Sequence, residues 1–287
     1  MKGFYKNSMT ERDVFIIAEI GINHNGDLEL AKELMKMAKD SGCDAVKFQK
    51  RTIDIVYTKE FLEESRESPW GTTQREQKEG LEFNESDYGE IDSYAKELDI
   101  IWFASAWDIP SQDFLKQFNV PYNKIASAMT TNLEFVEHVA KEGKPTFVST
   151  GMTTLEEIEK TVNIFKKHNC QITLMHTNSE YPSPEENLNL NCIITLKEKF
   201  NLPIGYSGHE PSVSPSLVAA CLGATAIERH ITKDRSSYGS DQAASLERSG
   251  LKNLVDMVRK LPVVLGDGVK LITDEEKKIA KKLRYWL

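Results

Sequence analysis

Cysteine is scarce in this sequence and nothing in its spacing pairs it. Cys43, Cys170, Cys192 and Cys221 are far apart, and no CxxC occurs. That argues against a disulfide-stapled secreted scaffold and against a cysteine-ligated zinc site; reduced thiols in a cytoplasmic protein are the expectation. Long apolar runs are missing too. None approaches the roughly 18 residues of a membrane span, so no membrane partner is expected. The opening MKGFYKNSMTERD has no apolar core of the kind a secretion signal carries. Positive charge is in deficit, with a formal net charge of −8, which disfavours nucleic acid as main partner. An anionic substrate would have to be drawn in by local lysines or arginines rather than by the whole surface. No internal repeat suggests a solenoid. What remains is ordinary for a globular protein with a large core: 287 residues, 40% apolar and 28% charged.

The stretch FIIAEIGINHNGD, residues 15–27, sets the pattern. Its apolar first half reads as a buried strand. Glu19, Asn23, His24 and Asn25 then arrive together, and Asp27 can cap a helix over 28–41 whose Ala31, Leu34, Met35 and Ala38 share one face. Eight such runs can be marked, at 15–21, 45–49, 100–107, 124–127, 145–150, 172–177, 203–209 and 226–232. Most precede a helical pattern. The clearest is 155–168, with a capping box from Thr154 to Glu157 and Ile158, Val162 and Phe165 on one side. Further helices are expected at 132–142, 214–222 and 251–261. Strand–helix alternation at this count and length predicts an α/β protein, a (β/α)8 TIM barrel forming a single domain over 1–287. One connection, 50–87, is too long for a simple turn and is expected to act as a lid, with Trp70 to Arg75 over the mouth. The tail 273–287 opens with a capping box from Thr273 to Glu276 and predicts a C-terminal helix with a basic end.

In a barrel of this kind the C-terminal strand ends and the loops after them build the active site. Those positions hold Glu19, Asn23 and His24; Lys47 and Gln49; Ser105 and Asp108; Lys124 and Ser127; Ser149 and Thr150; His176, Ser179 and Tyr181; Ser207 and His209; and Glu228 and His230. Four of the six histidines are thereby expected on one rim. Lys47 and Lys124 each sit inside an apolar run, and an unpartnered buried ammonium is costly. Two of them in one mouth imply an anion between them, with the hydroxyls of Ser127, Ser149 and Ser207 as neutral donors. That set suits phosphate, or phosphate plus carboxylate. The competing reading pairs each lysine with a carboxylate such as Glu19 or Glu228. His209 and His230 end adjacent expected strands, and two imidazoles with a nearby carboxylate suit a divalent metal such as Mn²⁺, with Mg²⁺ or Co²⁺ as alternatives. Glu228 lies two residues before His230, so alternation points its carboxylate into the site, where it would stay ionised and orient an attacking water.

The motifs AEIGINHNG (18–26), VKFQ (46–49), KIAS (124–127), STGM (149–152), EYPSP (180–184), GYSGH (205–209) and ERHIT (228–232) resemble, in order and spacing, those of the sialic acid synthase family. The resemblance runs from about Val14 to about Leu261. Those enzymes condense phosphoenolpyruvate (PEP) with an acylated hexosamine to give nonulosonic acids. The resemblance implies a barrel, a Mn²⁺-type metal on His209 and His230, and PEP held by Lys47, Lys124, Ser127, Ser149 and Ser207. It implies sugar contacts at Gln49, Tyr181 and Asp241, with Asn23 and Ser179 beside them, and acidic site positions at Glu19 and Glu228. The sequence departs from the family where a glutamate two residues after the KIAS serine is Met129, where an aspartate is Gly208, where a threonine is Ala106 and where an asparagine is Ser179. The family typically adds a C-terminal antifreeze-like domain that reaches the partner subunit's sugar site. This sequence ends at Leu287, so the sugar site is expected to be more open or closed by something else; a homodimer is compatible with it.

The reading reached is a metal-dependent, carbon–carbon bond-forming transferase that joins PEP to an open-chain, N-acylated amino-sugar aldose and releases phosphate. Glu19, Glu228 and His176 are the candidate proton carriers. Two alternatives are a Schiff-base aldolase acting through Lys124 or Lys47 and a catalytically silent sugar- or phosphate-binding barrel.

Overall fold

In the computed structural model, which describes residues 14–286, eight parallel strands close into a barrel. Residues 1–13, where no secretion signal is expected, and the terminal Leu287 lie outside the described residues. In chain order the strands are β1 (Phe15–Gly21), β2 (Ala45–Lys50), a hairpin pair β3 (Ser65–Ser68) and β4 (Gly71–Thr73), then β5 (Ile101–Ala106), β6 (Asn123–Ile125), β7 (Thr146–Ser149), β8 (Ile172–Thr177), β9 (Ile204–Gly208) and β10 (Ala226–His230). Around the barrel they run β1-β10-β9-β8-β7-β6-β5-β2, with β3 and β4 forming a separate two-stranded sheet.

The helices follow from their caps. Asp27 accepts from the backbone of Glu29 and Leu30 to start α1 (Leu28–Ser41), whose Ala31, Leu34, Met35 and Ala38 are buried as the pattern required. The insertion after β2 holds α2 (Ile53–Val56), α3 (Lys59–Glu63) and α4 (Gln74–Leu81), and α5 (Glu85–Leu98) leads into β5. α6 (Ile109–Lys116) and α7 (Leu133–Ala140) follow, then α8 (Leu155–Lys167) with its Thr154–Glu157 capping box. α9 (Cys192–Phe200), α10 (Ser214–Cys221) and α11 (Arg248–Leu265) complete the ring. The expected tail helix is α12 (Asp274–Leu283), capped by Thr273 and Glu276, with no buried residue.

The barrel interior changes character along its axis. At the strand starts, Phe15, Phe103, Tyr122 and Phe147 pack ring on ring, with Phe147 5.3 Å from Tyr122 and 5.8 Å from Phe103. This plug closes the lower end with apolar surface. Two or four residues further along the same strands the inward side chains are Glu19, Lys124, Ser105 and Ser149, because alternation keeps residues two apart on one face. An apolar floor under a polar mouth is therefore written into single strands.

The 50–87 connection is built rather than loose. Its hairpin carries Trp70 against Gly80, where a Cβ would meet the Trp70 ring at 2.2 Å. Gly26, at φ +68, lies so near that a Cβ there would come within 2.0 Å of the Gly80 carbonyl. Two glycines thus let the insertion press on the loop after β1, and Trp70 meets Tyr238 of the loop after β10 edge-on at 5.9 Å. Arg75 is tied to Asp54 at 2.8 Å and to Glu79 at 3.2 Å.

Candidate active site

The centre of the mouth is a network of two lysines and two glutamates from four strands. Lys47 (β2) lies 2.8 Å from Glu19 (β1) and 3.6 Å from Glu228 (β10). Lys124 (β6) donates to Glu228 at 3.0 Å and to Ser149 (β7) at 2.7 Å. Ser207 (β9) donates to Glu228 at 3.1 Å, and Gln49 donates to Glu19 at 3.0 Å. All four charged side chains are buried. This corrects the argument from the sequence: the lysines have their counter-charges inside the protein, so their burial does not by itself require an anionic ligand. With both carboxylates ionised, the resident network is electrically neutral.

Their cationic neighbours separate the two carboxylates. Burial raises Glu19 to about 7, with Lys47 opposing and the nearby Glu228 charge adding to the rise. Burial pushes Glu228 the same way, but Lys124 and Lys47 outweigh it and hold that carboxylate at about 2. Lys47 is raised because its two carboxylates overcome desolvation, whereas desolvation wins at Lys124 and lowers it. Glu228 points into the site and is ionised, as its spacing from His230 suggested. Its oxygens, however, are occupied by Lys124, Lys47 and Ser207, so it is not free to activate a water.

His209 and His230 stand together beyond this network, ring centroids 5.5 Å apart. His209 Nδ1 donates to the Asn178 carbonyl at 2.6 Å, which leaves Nε2 with its lone pair accepting from the Tyr181 hydroxyl at 2.8 Å. Burial pulls both imidazoles down to about 3, so both are neutral. The Nδ1 of His230 is buried without a hydrogen-bond partner, and an Asp241 oxygen lies 3.8 Å from it. Neutral rings, one orphaned nitrogen, one lone pair fixed by a carbonyl behind it and a carboxylate nearby fit a divalent ion. Among the described residues no group of three His, Cys, Asp or Glu side chains forms a ready-made cage. Substrate or water oxygens would have to complete the coordination.

The remaining expected residues divide. Ser127 sits in a short turn, Ser127–Met129, rather than on the strand, and accepts from the Gly151 backbone at 3.1 Å. Ser179 lies beside it, near enough that a Cβ on Gly151 would meet its hydroxyl at 2.2 Å. Gln49, Tyr181 and Asp241 line a cavity of about 230 Å³ with Arg51, Tyr57, Lys78 and Trp107. Asn23 is buried and bonds Ile231 O at 2.9 Å and Ser245 at 2.7 Å, so it ties down the loop that carries Asp241.

Two histidines are elsewhere. His24 stacks on Phe83 at 4.0 Å beneath the insertion. His176 donates to the Leu188 carbonyl at 2.7 Å, and its register partner is Tyr206, which also points outward and donates to Glu210. The expectation that His176 carries protons in the mouth is thereby corrected: the inward neighbour is Thr177, opposite Ser207. Two histidines, not four, reach the rim. Asp108 is an N-cap for α6 and bonds Thr52.

The sequence reading missed Arg51, Lys78 and the buried pair of Arg229 and Glu210 at 2.9 Å, which lies behind His209 and His230. Arg51 could have been found, since it continues the 47, 49, 51 alternation. At Gly208 a Cβ would meet Glu210 at 2.6 Å, so the Glu210 carboxylate fills the space a side chain at 208 would take.

A closed parallel barrel whose C-terminal rim gathers lysines, glutamates and two neutral histidines defines a TIM-barrel enzyme of anionic-substrate chemistry. The chain belongs to the NeuB family, whose sequence profile matches residues 34–270. It is 40% identical over 272 residues to the N-acetylneuraminate-9-phosphate synthase of Homo sapiens, covering 94% of this chain and 76% of that protein. It is 37% identical to the N,N'-diacetyllegionaminic acid synthase of Legionella pneumophila, covering 94% and 78%. The solved N-acetylneuraminic acid synthetase of Leptospira borgpetersenii, in complex with citrate, superposes with a TM-score of 0.82 at 33% identity, covering 95% and 93%. The chain is accordingly a carbon–carbon bond-forming transferase of the sialic acid synthase type.

Proposed function

We propose that the two lysines hold PEP over the apolar floor while an open-chain, N-acylated aldose enters from the His209–His230 side. The observation that carries this is the buried Lys47–Glu19–Glu228–Lys124 network beside two neutral imidazoles. The N-acylated class follows from relatives named for acylated nonulosonic acids. Lys47 and Lys124 turn donors toward the phosphate and carboxylate, with Ser127, Ser149 and Ser207 as neutral donors. C3 of PEP forms a bond to the aldehyde carbon, whose oxygen takes a proton. Water adds at C2 and loses a proton. Phosphate leaves as the C2 ketone forms. Glu19, poised near neutrality, carries a proton in this sequence, and Glu228 stays a fixed anion that positions both lysines. His209, His230 and Asp241 would hold a divalent ion, Mn²⁺ in the first instance, which when bound polarises the aldehyde oxygen. Gln49 and Tyr181 contact the sugar. The four free cysteines suit the cytoplasm, and no helix among the described residues is long and apolar enough to cross a membrane.

Membership in a synthase family favours this over the Schiff-base and silent-barrel alternatives. The test is PEP consumption, phosphate release and product mass with a panel of N-acylated aldoses. Turnover is expected with Mn²⁺, to vanish in EDTA and to return when the ion is restored. His209→Ala with His230→Ala should lose both turnover and bound metal while keeping the fold. Full activity in a chelated sample would overturn the metal assignment; pyruvate trapped on a lysine by borohydride would overturn the condensation.

A further inference from the structure

The pairing of β9 with β10 stops just short of the two rim histidines. Its register sets Tyr206 against Ile227, Ser207 against Glu228 and Gly208 against Arg229. The next residue on each strand is a histidine. His230 is still held on its other side, where it pairs with Glu19 of β1. His209 lies past the end of β9 and has no strand partner among the described residues. Its ties are to a loop: Nδ1 donates to the Asn178 carbonyl at 2.6 Å, and its own carbonyl accepts from the Ser183 backbone at 3.1 Å. The strand ladder therefore does not set the distance between the two rings.

A buried ion pair takes over at this point. Arg229 turns outward from β10, since its neighbours Glu228 and His230 face the mouth. Its Nη2 donates to the backbone carbonyl of Glu210, the residue after His209. Its Nη1 lies 2.9 Å from the Glu210 carboxylate and donates to the Ser212 carbonyl at 2.8 Å and to Ser216 of α10 at 2.9 Å. The other carboxylate oxygen accepts from the Tyr206 hydroxyl at 2.7 Å. One guanidinium on β10 thus grips the chain at 210, 212 and 216 and fixes the exit of β9. Gly208 leaves the room for it: a Cβ there would come within 2.6 Å of the Glu210 carboxylate and 2.7 Å of the Tyr206 ring.

Stability is a poor reason for this pair. Glu210 is 0% and Arg229 1% exposed, and the cost of desolvating two charges can exceed what their attraction returns. The guanidinium Nε is buried with no hydrogen-bond partner among the described residues, so even its own polar atoms are incompletely satisfied. Apolar side chains of similar volume can fill such a space with little or no loss of stability. They cannot tie a backbone carbonyl at one strand exit to a fixed point on the neighbouring strand.

We propose that Arg229, oriented by Glu210, is a positioning residue that sets the spacing of His209 against His230 for a divalent ion, an inference that rests on reading those histidines as an ion-binding pair. It touches neither ion nor substrate. It acts through two short backbone links, from Arg229 to His230 along β10 and from Glu210 to His209 at the exit of β9. Together they hold the ring centroids 5.5 Å apart.

The test replaces both charges at once. Glu210→Met with Arg229→Met removes the pair without stranding a buried charge, so the melting temperature is expected to hold or rise. Mn²⁺ alone, titrated calorimetrically, should bind at least about 10-fold more weakly than to the wild type, and the electron paramagnetic resonance spectrum of the bound ion should change. At saturating Mn²⁺, kcat should fall while the KM for PEP stays near its wild-type value. Arg229→Lys keeps the charge but cannot make all of the contacts, and its Mn²⁺ affinity should fall between the two. A folded double variant with wild-type Mn²⁺ affinity and kcat would overturn the proposal. Should the double variant fail to fold, unchanged Mn²⁺ affinity in Arg229→Lys would overturn it and weakened affinity at an unchanged melting temperature would uphold it. A wild-type protein that binds no Mn²⁺ would sink the ion reading and this proposal with it. Wild-type and double-variant proteins that bind Mn²⁺ equally well would sink the positioning role alone.

Discussion

Lys124→Ala is expected to weaken PEP binding by about 100-fold or more. Lys124 is buried and shares its donors between Ser149 and both oxygens of Glu228. A bond from a charged donor contributes on the order of 1.5–3 kcal/mol, and about 1.4 kcal/mol is tenfold in affinity. The loss goes further, because the neutral network becomes net negative. Glu228 is left with Lys47 at 3.6 Å as its nearest cation, and an arriving anion meets an under-compensated carboxylate. Removing one partner of a buried pair costs stability on the order of 3–5 kcal/mol, so the melting temperature should fall as well. Lys124→Arg should recover part of the stability but less of the binding, since a planar fork cannot reproduce three rotatable donors. Direct titration with PEP, alongside thermal unfolding, reads both. Unchanged affinity in a folded Lys124→Ala protein would make the lysine structural and move the anion site elsewhere.

The barrel, its helix caps and the inward positions of Glu19, Lys47, Lys124, Ser149, Ser207 and Glu228 were legible because each depends on short-range periodicity. Asp27, Thr154 and Thr273 announce helices by a local hydrogen bond, and apolar runs announce strands. The pairing inside the mouth was not legible. Lys124 and Glu228 are 104 residues apart, and only the closure of the barrel brings them to 3.0 Å. His176 shows how narrow the margin is. It is next to the inward Thr177, and a step of one residue along a strand reverses the face. Asp108 was ambiguous for another reason: a carboxylate after a strand serves equally as a site residue or as a helix cap, and here it caps α6. Lys78 left no signal, because α4 belongs to an insertion whose approach to the mouth is set by the contact of Gly26 with Gly80.

The glutamates give the second large effect, and it separates two roles that the sequence left joined. Glu19 and Glu228 both lie buried beside Lys47, yet their environments drive them apart, Glu19 up to about 7 and Glu228 down. A carboxyl near neutrality can gain and lose a proton during turnover; one held far below its ordinary value cannot. Met129, a thioether on the turn after β6, takes no part in proton transfer. Glu19→Gln is therefore expected to lower kcat by about 100-fold or more, within the range for a positioned general acid or base. If Glu19 acts as the base toward water, wild-type kcat/KM should rise with pH through about 7, as the folded carboxyl ionises, and the variant should lose that limb. PEP titrates in both proteins, so the difference between their profiles belongs to Glu19. Glu228→Gln should behave differently. It leaves two lysines with one carboxylate, making the network net positive, so PEP affinity should hold or rise while kcat falls because the lysines lose their fixed partner. A Glu19→Gln enzyme with near-normal kcat and an unaltered pH profile would return the proton to Glu228 or to solvent.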